Sequence, residues 1–64
     1  MPKYILLINY INDPDTTIHI FNDQILRERI AALKQMASVT QIHVYTLTSE
    51  HTLKPSWIET PCAQ

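Results

Sequence analysis

The sequence predicts a small α+β protein with ββαβ topology: a three-stranded, mostly antiparallel sheet with one helix packed on one face. Three observations support this fold class. The 64-residue chain has room for a single domain, which we assign to residues 1–64. Two segments rich in β-branched and aromatic residues flank a strong turn signal near the N-terminus. C-terminal to these segments, the spacing of the apolar residues changes from the alternation of a strand to that of a helix and then back to alternation.

The first two strands are predicted to form a β-hairpin. Residues 3–11 read KYILLINYI and place apolar side chains on both faces, which is typical of a central strand. The turn signal Asn-Asp-Pro-Asp follows at residues 12–15, where proline presets φ and the Asx side chains bond to nearby backbone. Residues 16–21 (TTIHIF) then form the second strand.

A helix is predicted from residue 22 or 23 to about residue 37. Asn22 and Asp23 are both good N-caps, because the side-chain oxygen of either can accept from a free N–H of the first turn. The apolar residues at 26, 30, 33 and 37 share one helical face, which we expect to pack on the sheet. Arg29 falls inside this apolar arc. We expect its guanidinium to reach solvent or an acidic side chain at the sheet edge, or else to contact an anion or a partner.

Alternation returns in residues 40–48, which predict the third strand. A crossover through the helix delivers this strand most simply beside the first, which gives the sheet order 2-1-3. From Ser49 onward the pattern decays. The following segment is expected to form a short edge strand or to dock on the sheet, although Pro55 limits ladder pairing. Residues 59–64 are expected to form a loose C-terminal tail.

The composition excludes several classes of function. The chain has no glycine, where about four or five are expected, and phosphate-binding loops and dinucleotide fingerprints require glycine. The single cysteine, Cys62, permits no intramolecular disulfide. A net charge of −1 argues against nucleic-acid binding, and the longest apolar run, residues 5–8, is far below the roughly 18 residues that suggest a membrane span. We expect a cytoplasmic protein without cofactor, nucleic acid or membrane.

The second face of the predicted sheet indicates a partner. One helix covers one face only, and a domain of this size usually needs a disulfide, a metal or another subunit for stability. We therefore predict a homodimer, formed face to face or by pairing of exposed edges. The alternative is that the C-terminal segment, anchored by Trp57, folds across the free face and keeps the chain monomeric. The residues predicted at an interface with a second copy or with another protein are His19, Phe21, Arg29, His43, Tyr45, Leu47 and Trp57.

The histidines are candidates for chemistry. His19 and His43 are expected on one sheet face, with Tyr45 near them. Two imidazoles and a carboxylate can bind a metal, and a histidine beside a tyrosine can serve in acid–base catalysis. Neither histidine has a second ligand at close spacing on its own element. We interpret both as amphipathic residues of a half-buried face or interface, with no metal site and no catalytic residue.

Two resemblances to known families imply functions. The run IHVYTL at residues 42–47, together with the hairpin–helix–strand order, resembles small phage and mobile-element proteins of ββαβ architecture. That resemblance implies an inhibitor that binds a host protein in the host cytoplasm. Pro2, which leads directly into a strand, and the helix–strand segment 23–48 resemble the tautomerase family, in which a terminal proline acts as a general base. This chain differs by an extra strand before the helix and by the lack of clearly matching substrate-binding arginines.

These observations give an ordered set of expectations. The first is a small, non-enzymatic, protein-binding module that acts as a homodimer. The alternative is a tautomerase-like enzyme that uses Pro2 as its general base. Nucleic-acid binding through the helix face that carries Arg27 and Lys34 comes last, because no basic surplus supports it.

Overall fold

Four strands and one helix form the fold within residues 2–61, the part of the chain that the computed structural model describes. The strands form one antiparallel sheet in the order β2-β1-β3-β4. The predicted α+β class is confirmed, and the first three strands have the predicted order. In chain order the elements are β1 (Tyr4–Tyr10), β2 (Thr16–Ile20), α1 (Asp23–Leu33), β3 (Val39–Leu47) and β4 (Leu53–Glu59).

The prediction of three strands is wrong, because residues 53–59 form a fourth strand along β3, which confirms the edge-strand alternative for this segment. The turn before it is closed by Thr48, whose N–H donates to the Thr52 carbonyl at 2.9 Å and whose hydroxyl lies 2.7 Å from that of Thr52. Pro55 is tolerated because β4 is an edge strand and the register skips the neighbouring Ser56, as in a β-bulge. The segment extends the sheet and does not fold across its free face.

The hydrophobic core lies between α1 and one face of the sheet, which we call the helix side. Leu26, Ile30 and Leu33 lie above one another on α1 and are at most 9 % exposed. Burial of each such side chain contributes about 1.5–3 kcal/mol relative to its exposure in water. The predicted helical face is confirmed at these three positions. Their buried partners on the sheet are Leu6, Ile8, Ile20, Val39, Ile42 and Val44.

The helix begins as predicted and ends earlier. Asn22 is the N-cap, and its Oδ1 accepts from the N–H of Ile25 at 2.8 Å. α1 ends at Leu33 instead of residue 37, because the next turn tightens: the Met36 N–H donates to the Leu33 carbonyl at 3.1 Å, three residues back. The Val39 N–H in turn donates to the Met36 carbonyl at 3.2 Å, which directs the chain into β3.

The structure describes only part of the segment that is predicted to form a C-terminal tail. Glu59 belongs to β4, and Pro61 is buried. Residues 62–64, which include Cys62, lie outside the described residues, so the predicted tail at residues 59–64 stays a prediction.

The reversals of the chain use no glycine. The β1–β2 hairpin is present with Asn-Asp-Pro-Asp at residues 12–15, as predicted. Within residues 2–61, His51 alone has a positive φ, 65°, in the turn that leads into β4. A residue with a Cβ is strained in this left-handed region, which glycine adopts without a steric penalty.

This strain makes His51 a site where glycine should stabilise the fold. We expect His51→Gly to raise the free energy of unfolding by roughly 0.5–1 kcal/mol, because removing Cβ relieves the left-handed strain by more than the added chain entropy costs. His51→Ala keeps Cβ and is the matched control, with no such gain. Urea unfolding of the three proteins measures the effect. Equal stability of the glycine and alanine variants would contradict it.

Candidate binding surfaces

The sheet face opposite α1, which we call the open face, is covered by no helix or strand within residues 2–61. Side chains alternate between the faces of a strand, so the buried residues of β1 and β3 fix which neighbours point to the open face. The pairing registers extend this assignment across the sheet. The open-face positions are Ile5, Leu7, Asn9, Thr17, His19, Gln41, His43, Tyr45, Leu47, Leu53, Pro55 and Ile58.

No position of the open face carries a formal charge. All five basic and all six acidic residues of the chain lie elsewhere, on α1, in the turns, before β1 or on the helix side of β4. On β4 the register pairs Lys54 with Thr46 and Glu59 with Ile42, which places both charges on the helix side. Sheet faces in contact with water normally carry polar side chains. Depletion of charge is typical of the centre of a protein interface.

Four of the seven predicted interface residues lie together on the open face. His19 is opposite Ile5, and Tyr45 is opposite Ile5 from the other side, so the three form a row across the sheet. His43 is opposite Leu7 in the next row. Leu47, the fourth of the predicted residues, ends β3 on the same face.

The two histidines share the face but do not meet. β1 lies between them, and two strand spacings amount to about 10 Å. The Nε2 of His43 is hydrogen-bonded to the Oδ1 of Asn9 at 2.8 Å, across β1 and β3. Across residues 2–61, no three His, Cys, Asp or Glu side chains lie close enough to hold a metal ion. The open face is therefore suited to packing and hydrogen bonding.

Two other predicted interface residues, Phe21 and Arg29, lie outside the strands of the open face. Phe21 follows β2, is 59 % exposed and lines a cavity at the end of the sheet together with Pro2 and the open-face residue Leu47. Arg29 is exposed on α1, next to Ile25 and Glu28. It forms no ion pair within the described part of the chain, so the acidic partner expected at the sheet edge is not there.

Trp57 lies on the helix side, because the bulge at Ser56 reverses the alternation of β4. The register pairs Trp57 with the buried Val44, and it turns the next residue, Ile58, to the open face. Simple alternation from Leu53 would give the opposite placement of both residues. The expectation that Trp57 anchors a cover for the free face is therefore wrong.

Trp57 instead lines a groove of about 440 Å³ between α1 and β4. Its indole is 43 % exposed, and its Nε1 donates to the Oε2 of Glu59 at 2.8 Å. The opposite wall is α1, from its first residue, Asp23, to the C-cap residue, Lys34. The remaining lining residues are Tyr4, Leu26, Arg27, Ile30 and Ala31.

Hydrogen-bonded charge clusters close both ends of this groove. At one end Asp23 accepts from the Tyr4 hydroxyl at 2.7 Å and pairs with Lys3 at 3.2 Å. At the other end Lys34 Nζ lies 3.2 Å from Glu59 Oε1. Arg27 lies between these ends and forms no ion pair with any residue from 2 to 61. The groove thus has an ion pair at each end, and Arg27, which acts on Asp23 at longer range, belongs to neither pair.

No protein-family model, curated protein or solved structure matches this chain. Within residues 2–61 no helix is long and apolar enough to span a membrane, since α1 has only 11 residues.

The contacts of Asp23 with Tyr4 and Lys3 can be tested by titration. The Tyr4 hydroxyl and then Lys3 lower the pKa of Asp23 below its ordinary value, while the same hydrogen bond raises the pKa of Tyr4. A carboxyl with a lowered pKa stabilises the fold above its unfolded-state pKa, and this contribution is lost as pH falls through the folded-state pKa. We expect Tyr4→Phe to raise the pKa of Asp23 in an NMR titration of the side-chain carboxyl carbon. Tyr10→Phe, at the other end of β1, is the control, and an unchanged pKa in Tyr4→Phe would contradict the assignment.

Proposed function

We propose that this protein is a homodimeric binding module in which the open faces of two copies pack against each other. The observation that carries the proposal is the absence of formal charge from all open-face positions. Two of its apolar residues, Leu53 and Ile58, are 49 % and 55 % exposed in the single chain. A second copy would bury them in a two-layer sandwich, with sheets about 10 Å apart.

A face of this size suits a dimer. Four strands at about 4.8 Å spacing and six residues at about 3.3 Å rise give a projected area of roughly 400 Å² per copy. Projecting side chains expose more surface than this, so two copies bury on the order of 1,000 Å² in total, where specific interfaces begin. The area therefore supports a modest dimer of a chain with a mass of 7.4 kDa.

The chemistry of the face also suits contact with itself. In a two-fold interface the same patch meets its own copy, so a charged residue near the axis would face an identical charge. The open face avoids this repulsion. Its polar pair, His43 and Asn9, is already hydrogen-bonded within the chain and can be buried at little cost.

The sheet edges are weaker candidates for self-association. β4 contains Pro55, which has no N–H, and the bulge at Ser56 interrupts its edge. The opposite edge, β2, is only five residues long. These features favour face-to-face packing over edge pairing.

The dimer is tested by placing a charge on the open face. We expect Ile58→Lys to convert a dimer of about 15 kDa into a 7.4 kDa monomer at micromolar concentration, because the added ammonium would be buried without a partner. Ile25→Lys makes the same substitution at an exposed isoleucine of α1, on the other side of the sheet, and should leave the dimer intact. Sedimentation velocity measures the masses, and circular dichroism checks the fold. A wild-type monomer under these conditions would refute the proposal.

A tautomerase-like enzyme is the second candidate, and one observation favours it. Pro2 lines a cavity of about 390 Å³ together with Lys3 and His51. No arginine is among its described lining residues, so a substrate carboxylate would have to bind to Lys3.

Whether Met1 is removed from the mature chain tests the tautomerase-like alternative. Only a proline with a free amine can act as a general base, so Met1 must be removed from the mature chain. Intact-mass spectrometry of the protein purified from its native source measures this directly. A mass that includes Met1 would exclude the enzyme, whereas loss of one methionine from the mass would keep it.

A further inference from the structure

The sheet is wider than the single helix that covers it. Four strands at about 4.8 Å spacing span roughly 19 Å, while a helix with its side chains is about 10–12 Å across. The buried core residues of the sheet, on which α1 packs, belong to β1, β2 and β3. None of the buried core residues lies on β4. The helix side above β4 is therefore uncovered over a strip of roughly 7–9 Å, close to the axial distance of about 8–10 Å at which a second helix packs beside the first.

The groove in this space has the length and direction of a helix. Its α1 wall uses residues at spacings of three and four, from Asp23 through Ile30 to Lys34. It therefore follows the full length of α1, about 16 Å for 11 residues. Two helices pack side by side at axial distances of about 8–10 Å. A second helix of about three turns, lying beside α1 above β4, would place the side chains of one face in the groove and contact both α1 and the indole of Trp57.

An added strand fits this place less well. A strand would have to pair with the free edge of β4, where Pro55 lacks an N–H. The bulge at Ser56 further breaks the regular spacing of amide and carbonyl groups along that edge. A helix satisfies its own backbone hydrogen bonds, so it can bind in the groove by side-chain packing without pairing with the edge of β4.

The charges of the groove indicate what the helix carries. Asp23 and Glu59 are already paired with lysines at the two ends, so Arg27 in the middle is the cation left for a ligand. A guanidinium binds a carboxylate with two parallel hydrogen bonds. The indole N–H of Trp57 is held by Glu59, so the ring offers an apolar surface of the kind that dominates interface energies.

From these contacts we propose that the α1–β4 groove is the docking site for an amphipathic helix of a partner protein. Its apolar face packs on Trp57, Ala31 and the ring of Tyr4, and an Asp or Glu side chain beside that face pairs with Arg27. The inference rests on the proposed function as a binding module, and it adds the place and the chemistry of the partner. The groove and the open face lie on opposite sides of the sheet, so both are accessible at once.

Two displayed peptide libraries provide the probe. Both contain peptides of about 14 residues, long enough for a helix of about 21 Å. One library fixes leucines at helical spacing and randomises the other positions; the second fixes the same leucines in strict alternation, as in a strand. We expect the full-length protein to select binders from the helical library, enriched in Asp or Glu beside the leucine face. Equal selection from both libraries, or from the alternating one alone, would overturn the proposal.

Variants then locate the bound peptide. We expect Trp57→Ala and Arg27→Glu each to weaken a selected peptide at least about tenfold, as loss of an interface anchor does. Arg29→Glu makes the same charge reversal on α1 outside the groove and should leave the affinity unchanged. A lysine in place of the peptide's acidic residue should restore binding to Arg27→Glu. Equal loss in Arg27→Glu and Arg29→Glu would show a nonspecific charge effect and overturn the site.

The Ile58→Lys protein separates this proposal from the dimer. Its substitution lies on the open face, so we expect selected peptides to bind it with unchanged affinity. Peptide binding by a protein that is monomeric even as wild type would refute the dimer and leave the groove standing. A wild-type dimer that selects no helical peptide would refute the groove and leave the dimer standing.

Discussion

The contact on which the rest of the structure depends is the narrow apolar stripe of α1 against the sheet. Leu26, Ile30 and Leu33 are the buried residues of the helix, and their partners on the sheet lie in β1, β2 and β3. Because this stripe is one side chain wide and its partners do not include any residue of β4, it organises a single layer of core. The whole opposite face and the strip above β4 stay uncovered, and both candidate binding surfaces follow from that geometry.

Much of the scaffold could be predicted because its signals are local. The hairpin turn, the Asn22 cap and the spacing of the buried helix residues are encoded within a few positions each. The order of the first three strands then follows from the crossover. β4 was the exception, because Pro55 normally argues against a strand and only its place at the sheet edge, next to a bulge, makes it acceptable.

Only part of the candidate surfaces could be predicted from the sequence. His19, His43, Tyr45 and Leu47 could be assigned to one face because they alternate with buried residues on regular strands. That the face is entirely uncharged depends on the side of β4 to which Lys54 and Glu59 point, which requires the register. The groove needs both α1 and β4, so no single segment of the sequence could reveal that Arg27 and Trp57 line it together. The possible signal was the pair of large apolar residues at 57 and 58, one of which had to face each side.

The bulge at Ser56 has a genetic consequence. It is the one residue that sets which of Trp57 and Ile58 belongs to which surface. Loss of its single codon would move the indole to the open face and the isoleucine into the groove, with no change in the identity of any other amino acid. The two surfaces are therefore coupled through β4: a one-codon insertion or deletion there alters both together, whereas substitutions on β1, β2 or α1 alter one at a time.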